Sequence, residues 1–235
     1  MNRALMLHFA RQRLQSPMRL MLFFLAFVPP VVMALIARSL QPVQAGAGVF
    51  ALIFTAGAIG QDVSSGVLQL LFARPVARTT YVISRWLTGG LVGALLGLAQ
   101  VALCVLMLLS RGATPDPSTL LRLVLENAIA GFGTAAVMVM LSSLVNGLGD
   151  VALWVTGLMT TQILSMAASA KNWKLLAQAS DELRAFLQPE LPLGWISGLG
   201  DPNYTGMIRF FLAIAIGLTV AVTVTQRKEL SYAAD

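Results

Sequence analysis

The chain has 235 residues, of which 57% are hydrophobic and only 11% charged, and its mean hydropathy of +0.78 excludes the balance of a water-soluble globular domain. A single histidine, His8, and a single cysteine, Cys104, exclude the clustered ligands of a zinc hydrolase and any disulfide framework. The formal net charge of +6 comes from cations set beside apolar runs, where they report topology rather than a soluble acidic partner.

In chain order, residues 1–20 read as an interfacial amphipathic helix: Leu7, Ala10 and Leu14 form an apolar stripe, and Arg3, Arg11, Arg13 and Arg19 supply cations for anionic headgroups. Six runs then have the length and apolarity to cross a bilayer core, at residues 21–37, 39–61, 87–110, 127–149, 151–170 and 210–226. They are continuous blocks without the alternation of barrel strands, so the expected fold is an all-α polytopic membrane protein, one transmembrane domain over residues 1–235. A cleaved leader is not expected, because the segment before the first run is long for a signal and Pro29-Pro30 sits mid-run. Those two prolines remove amide donors and clash with the preceding turn, which predicts a kink or break.

Between the second and third runs lies "QDVSSGVLQLLFARPVARTTYVISRW". Asp62, Ser64 or Ser65 can cap a short helix whose Val67, Leu68, Leu70 and Leu71 share one face, Pro75 stops it, and Thr79 or Thr80 can cap the helix that re-enters the membrane. In the third run Gly89, Gly93 and Gly97 recur at every fourth position and leave one side nearly bare, for packing within the chain or at a subunit interface. Arg122 and Glu126 are four apart on one helical face and can pair or snorkel. The turn "NGLGD", residues 146–150, reads as a simple hairpin. Residues 171–209 are the longest stretch outside the runs: Trp173, Leu176, Ala179, Leu183, Phe186 and Leu187 recur at helical spacing before Pro189, Pro192, Gly194 and Gly198 break the regularity.

Counting Lys and Arg with the N-terminus inside gives nine on the inner side, in the segments holding Arg3 to Arg19, Arg74 to Arg85, and Arg227 and Lys228. The other seven of the 16 fall outside, four of them in or beside the long 171–209 loop. Both termini and the 62–78 segment are therefore expected in the cytoplasm, with 171–209 on the outer side.

The run "DVSSGVLQLLFARPVARTTYVISRWLTG" resembles the first cytoplasmic loop of type-2 ABC transporter permeases on Asp62, Gly66, Val67, Leu68, Gln69, Leu70, Leu71, Pro75, Val76 and Arg78. It departs from the usual pattern at Asp62, where Glu is commoner, at Val67, where Thr is usual, and at Gln69, where an acid is frequent. The interfacial first helix, the six spans and the outer helical loop agree with the same family over nearly the whole chain. The resemblance implies that residues 62–78 are the coupling helix, seated in a cleft of a cytoplasmic ATPase, with Asp62, Gly66, Val67, Leu68, Leu70, Leu71, Pro75 and Arg78 as its contact residues. It implies that the first, second and fifth spans border the route and that the first and fifth meet a second permease, so Pro29, Pro30, Thr55, Thr156, Thr160, Thr161 and Gln162 are candidate pathway or gate residues. It makes residues 171–209 an outer gate or a dock for a periplasmic accessory protein; a lid on the outer leaflet fits the same pattern.

The chain has no phosphate-binding loop ending in Gly-Lys-Ser or Gly-Lys-Thr, so ATP and Mg belong to a separate ATPase subunit and no cofactor is expected on this chain. A serine hydrolase would need a base, and His8 lies in the N-terminal segment. The expected role is therefore the permease subunit of an ATP-driven ABC exporter in a bacterial cytoplasmic (inner) membrane. Expected partners are the ATPase, a second copy or similar permease, and lipid, with no nucleic acid. Two alternatives are a permease subunit for heme handling or metalloenzyme maturation, and a secondary transporter or channel; against the latter, repeats and intramembrane charges are scarce.

Overall fold

The computed structural model describes residues 3–68, 77–171, 173–198 and 200–232, and among these it contains only helices, turns and loops. The helices are α1 (Arg3–Leu14), α2 (Pro17–Ala37), α3 (Gly46–Thr55), α4 (Gly60–Ser64), α5 (Arg78–Ser110), α6 (Pro117–Leu144), α7 (Gly149–Lys171), α8 (Lys174–Leu187) and α9 (Tyr204–Tyr232). Among the described residues six segments are long and apolar enough to span a membrane, the second being the composite Gln41–Ser64 built from a 3-10 turn, α3 and α4. The all-α polytopic expectation holds.

Local chemistry sets the helix ends. Pro17 occupies the first turn of α2, where its missing amide costs nothing, and Arg38 closes the helix in the left-handed region at φ 50°. Asp116 caps α6: its carboxylate accepts the Thr119 amide at 2.9 Å, and Pro117 follows at the first helical position. The Ser118 hydroxyl also donates to this fully exposed carboxylate, and these bonds hold its pKa below the usual aspartate value.

The core is formed by the second, third and fourth spans. The fourth-span window is 61% buried and the second 56%, against 11% for the fifth and 17% for the first, so α2 and α7 lie at the periphery with their apolar faces turned outward. The third-span glycines are what let the core close. A Cβ at Gly93 would lie 2.6 Å from the Ala47 carbonyl oxygen, and one at Gly97 would lie 2.7 Å from Asn127 Oδ1 and 2.9 Å from the Ala47 nitrogen. The stripe therefore packs against α3 within the chain and is consumed there. Asn127, fully buried on α6, closes the same junction by accepting the Ala47 amide at 3.0 Å and donating to the Leu123 carbonyl at 3.0 Å.

Pro29 and Pro30 do not break the first span, as α2 continues through both. Pro30 has no N–H for the Ala26 carbonyl four residues back, and the buried Gln100 of α5 provides one: its Nε2 donates to Ala26 O at 3.3 Å and to Phe27 O at 2.9 Å. Gln100→Leu should thus lower thermal stability by about 1 kcal/mol. The loss should shrink in a Pro30→Ala background, where residue 30 regains its amide; melting curves of the four proteins of this cycle in one detergent measure the coupling.

The headgroup role expected of Arg13 in α1 needs a correction. Leu7 and Leu14 are exposed, at 72% and 38%, and the face turned to the bundle is Phe9 with Arg13, four residues apart and 2% and 4% exposed. Arginine was expected on the headgroup side, but here one is drawn inward by carbonyls that only a break in the second span could leave open.

Helix α8 lies against the bundle, with Leu183, Phe186 and Leu187 packed on Val137, Met138 and Leu141 of α6 and on Trp154 and Leu158 of α7. Gly157 leaves room for Leu187, since a Cβ there would meet its Cδ1 at 2.7 Å. The Ser180 hydroxyl donates to the Thr161 carbonyl at 2.9 Å, and the Trp154 indole N–H to the Leu187 carbonyl at 3.0 Å.

Candidate functional site: the break in the second span

The second span was expected to be one helix over residues 39–61. It is discontinuous: α3 ends at Thr55, residues 56–59 form a turn, and the chain resumes as α4 at Gly60. Gly57 makes the turn possible by taking φ +67°, a conformation side-chain-bearing residues seldom adopt. An interrupted helix at membrane depth exposes carbonyls and amides that must find partners inside the protein.

Those partners come from four other elements. Arg13 of α1 donates from Nη1 to the Ala56 carbonyl at 2.6 Å and from Nη2 to the Gly57 carbonyl at 2.7 Å. Arg19 of α2 donates from Nη2 to Gln61 Oε1 at 3.0 Å. On the amide side, the Ser142 hydroxyl of α6 accepts from Ile59 at 2.9 Å and from Gly60 at 3.0 Å, and the Asp150 carboxylate of α7 accepts from Gly57. Burial, with the nearby Arg19 and Arg85 charges, lowers the Arg13 pKa to about 10, so it still donates as a cation at neutral pH.

The turn at residues 146–150 is more than a hairpin. Gly147 donates its amide to the Gly60 carbonyl at 2.9 Å, and Gly60 must lack a side chain because a Cβ would lie 2.5 Å from the Val145 oxygen and 2.7 Å from the Gly147 oxygen. Asp150 is fully buried. The junction of spans four and five is thereby bonded directly to the break.

One turn further on, Asp62 is 4% exposed and points inward rather than to an outer surface. Its Oδ2 accepts the Tyr81 hydroxyl at 2.6 Å and forms an ion pair with the guanidinium of Arg85, both on α5. The Arg85 guanidinium carbon lies 3.5 Å from the centre of the Phe9 ring, so α1 covers the pair with an aromatic face. Asp62 therefore anchors the segment that follows it to α5 and α1.

The described part of that segment ends at Leu68. Gly66 sits at φ +72° with open space where a Cβ would be, Val67 is 37% exposed, and Leu68 turns back to pack with Phe9, Ile59, Tyr81 and Val82. Gln69 to Val76, and with them Leu70, Leu71 and Pro75, lie outside the described residues. Arg78 opens α5 and reaches the Gln226 carbonyl of α9 at 3.4 Å. Of the pathway candidates, Thr55 and Thr161 are buried in helix packing, Thr55 donating to the Ala51 carbonyl at 2.6 Å, whereas Pro29, Thr156, Thr160 and Gln162 are exposed on the flanks of α2 and α7 and Pro30 is half-buried. The structure does not bring these seven residues together around one space.

Sequence reasoning missed Arg13, Arg19, Tyr81, Arg85, Ser142 and Asp150. The signal that could have found them is the Gly57-Gly60 pair inside an otherwise apolar span, since a break there demands buried donors and acceptors elsewhere.

A helical membrane protein with six candidate spans among the described residues, the second of them interrupted and clamped by its neighbours, is the class of molecule this geometry defines. Residues 34–197 match the ABC-2 family transporter protein model, and the chain belongs to that family. It is an ABC permease subunit, a multi-pass membrane protein, and its family implies partnership with an ABC ATPase subunit. No curated protein matches the chain.

Proposed function

We propose that this chain is the permease half of an ATP-driven exporter of the bacterial cytoplasmic membrane, with both termini in the cytoplasm. It acts as a dimer with a second copy or a similar permease, and with two ATPase subunits that hold the ATP and Mg. The observation that carries the reading is the attachment of the segment beginning at Gly66 to the break in the second span. A push on that segment is delivered through Asp62 to Arg85 on α5 and Phe9 on α1, and through α4 to Ser142, Asp150 and Arg13. One contact point thus reaches spans two, three, four and five and the N-terminal helix, as a lever for switching access requires. The excess of Lys and Arg on the same side, nine against seven, supports placing this end in the cytoplasm.

Photocrosslinking tests the contact. A benzophenone amino acid at Val67 should crosslink to the ATPase in membranes that carry both proteins, while the same residue at Leu109, at the other end of the bundle, should not. Crosslinking from Leu109 alone would place the ATPase on the wrong side.

A further inference from the structure

At the end of the bundle opposite α4, a cavity of about 470 Å³ opens between the start of the second span, α6, α7 and the chain that follows α8. Its wall carries two carboxylates, Glu126 and Glu190, and no lysine or arginine among the described residues. The amides of Gln44 and Gln188 stand beside them, and Leu52 and Trp154 supply apolar and aromatic surface. We propose that this cavity binds an organic ammonium ion. The inference goes beyond the coupling reading and does not depend on it.

Charge selects the class of ligand. Glu126 is 9% exposed, and its two oxygens have only distant partners: Arg122 Nε at 3.5 Å from one and Gln44 Nε2 at 3.4 Å from the other. Both separations lie at or beyond the outer limit of useful hydrogen bonding, so a carboxylate able to accept at about four sites has capacity left for a cationic donor. Arg122 approaches from outside the cavity and is itself engaged with Ser197 Oγ at 3.1 Å. Glu190 faces the same space from an exposed position and adds a second negative charge. With one arginine set against two carboxylates, the site has a net charge of −1, suited to a monovalent cation.

The rest of the wall selects an organic cation over a metal ion. A hard divalent ion takes about six or more oxygen ligands, whereas much of this wall is hydrocarbon and indole, and among the described residues no three His, Cys, Asp or Glu side chains gather. An ammonium on a short apolar body uses all three kinds of surface: carboxylate for charge, amide oxygen for N–H, and Trp154 for cation–π contact. The volume lies in the lower half of the range of roughly 300–1,000 Å³ that holds one small molecule. It would take a soluble amine whole, or the headgroup of an aminophospholipid with its chains outside.

The test uses the full chain in nanodiscs of phosphatidylglycerol, titrated calorimetrically with hexylammonium, whose three N–H groups can donate, and with hexanoate, which has a tail of similar length and the opposite charge. Saturable binding of the cation and none of the anion is expected. Glu126→Gln should weaken the cation by about tenfold or more, as loss of a charge-assisted contact does. Glu190→Gln, a change at an exposed side chain that leaves the fold intact, should weaken it by about two- to fivefold. Equal binding of hexanoate, or unchanged affinity in Glu190→Gln, would overturn the proposal even if Glu126→Gln failed to fold. Repeating the titration with phosphatidylethanolamine in the disc identifies the source: competition assigns the site to a lipid headgroup and its absence to a soluble amine, and both outcomes uphold an ammonium site.

Discussion

Replacing Arg85 by Met is expected to produce the largest loss of stability of any single conservative-volume change in the α4 end of the bundle. Arg85 and Asp62 are 4% and 6% exposed at their side chains, so removing the cation leaves a buried aspartate with the Tyr81 hydroxyl at 2.6 Å and only the more distant charges of Arg13 and Arg19 to hold its charge. Breaking a buried pair by deleting one partner costs about 3–5 kcal/mol, because the survivor keeps its desolvation penalty and loses the compensating charge. At roughly 2–4 °C per kcal/mol for a chain of this length, the melting temperature in detergent should fall by on the order of 10 °C. Adding Asp62→Asn should recover part of the loss, since the neutral amide removes the stranded charge. The lost stacking of the guanidinium on Phe9 would not be recovered, and α1 should remain loosened. A single variant that melts within a degree of the wild type would mean that the pair does not carry the attachment of the loop.

Gly93→Leu is expected to be worse, to the point that little folded protein is recovered. The first atom of any side chain at this position would lie 2.6 Å from the Ala47 carbonyl oxygen, 2.8 Å from the Ala51 Cβ and 3.1 Å from the Ala51 nitrogen. Two of those three are backbone atoms of α3, so the clash cannot be relieved by a rotamer change, and α3 must move away from α5. Overpacking of well-filled cores commonly costs about 1–3 kcal/mol, and displacing a whole helix exceeds that range. Gly66→Ala is the informative contrast. Gly66 also has a special conformation, φ +72°, but nothing lies within 4 Å of the added methyl group, so only the left-handed backbone penalty of about 1 kcal/mol applies. Size-exclusion profiles of the two variants expressed side by side should show a monodisperse peak for Gly66→Ala and loss of that peak for Gly93→Leu.

These two positions mark how far the sequence could be read. The bilayer imposes length and apolarity, so the spans were legible to within a few residues at most ends, and Gly89, Gly93 and Gly97 announced close helix packing by their spacing. The Arg122–Glu126 pair was legible for the same reason, since a separation of four places both on one helical face. The break at residues 56–59 was not, because Ala56, Gly57, Ala58 and Ile59 are as apolar as the span around them and hydropathy cannot see a turn made by one positive φ. Once the break is missed, its partners are assigned elsewhere: Arg13 and Arg19 read as headgroup cations, Asp62 as a surface contact and Asp150 as part of a hairpin. Each is a polar group whose meaning depends on a tertiary neighbour more than 20 residues away in the chain. The continuity of the first span through Pro29-Pro30, where a kink or break was expected, was likewise hidden, because the donor that keeps the helix from breaking is on Gln100.

The claim that the segment after Gly66 couples this permease to an ATPase is tested most directly by ATP hydrolysis in the reconstituted pair. Leu70 and Leu71 lie on the apolar face that the sequence gives to this segment, outside the clamp residues named above. The permease carrying Leu70→Asp or Leu71→Asp should insert and melt like the wild type, yet fail to co-purify with the ATPase and fail to stimulate its hydrolysis of ATP. Stimulation at the wild-type level by both variants would contradict the lever.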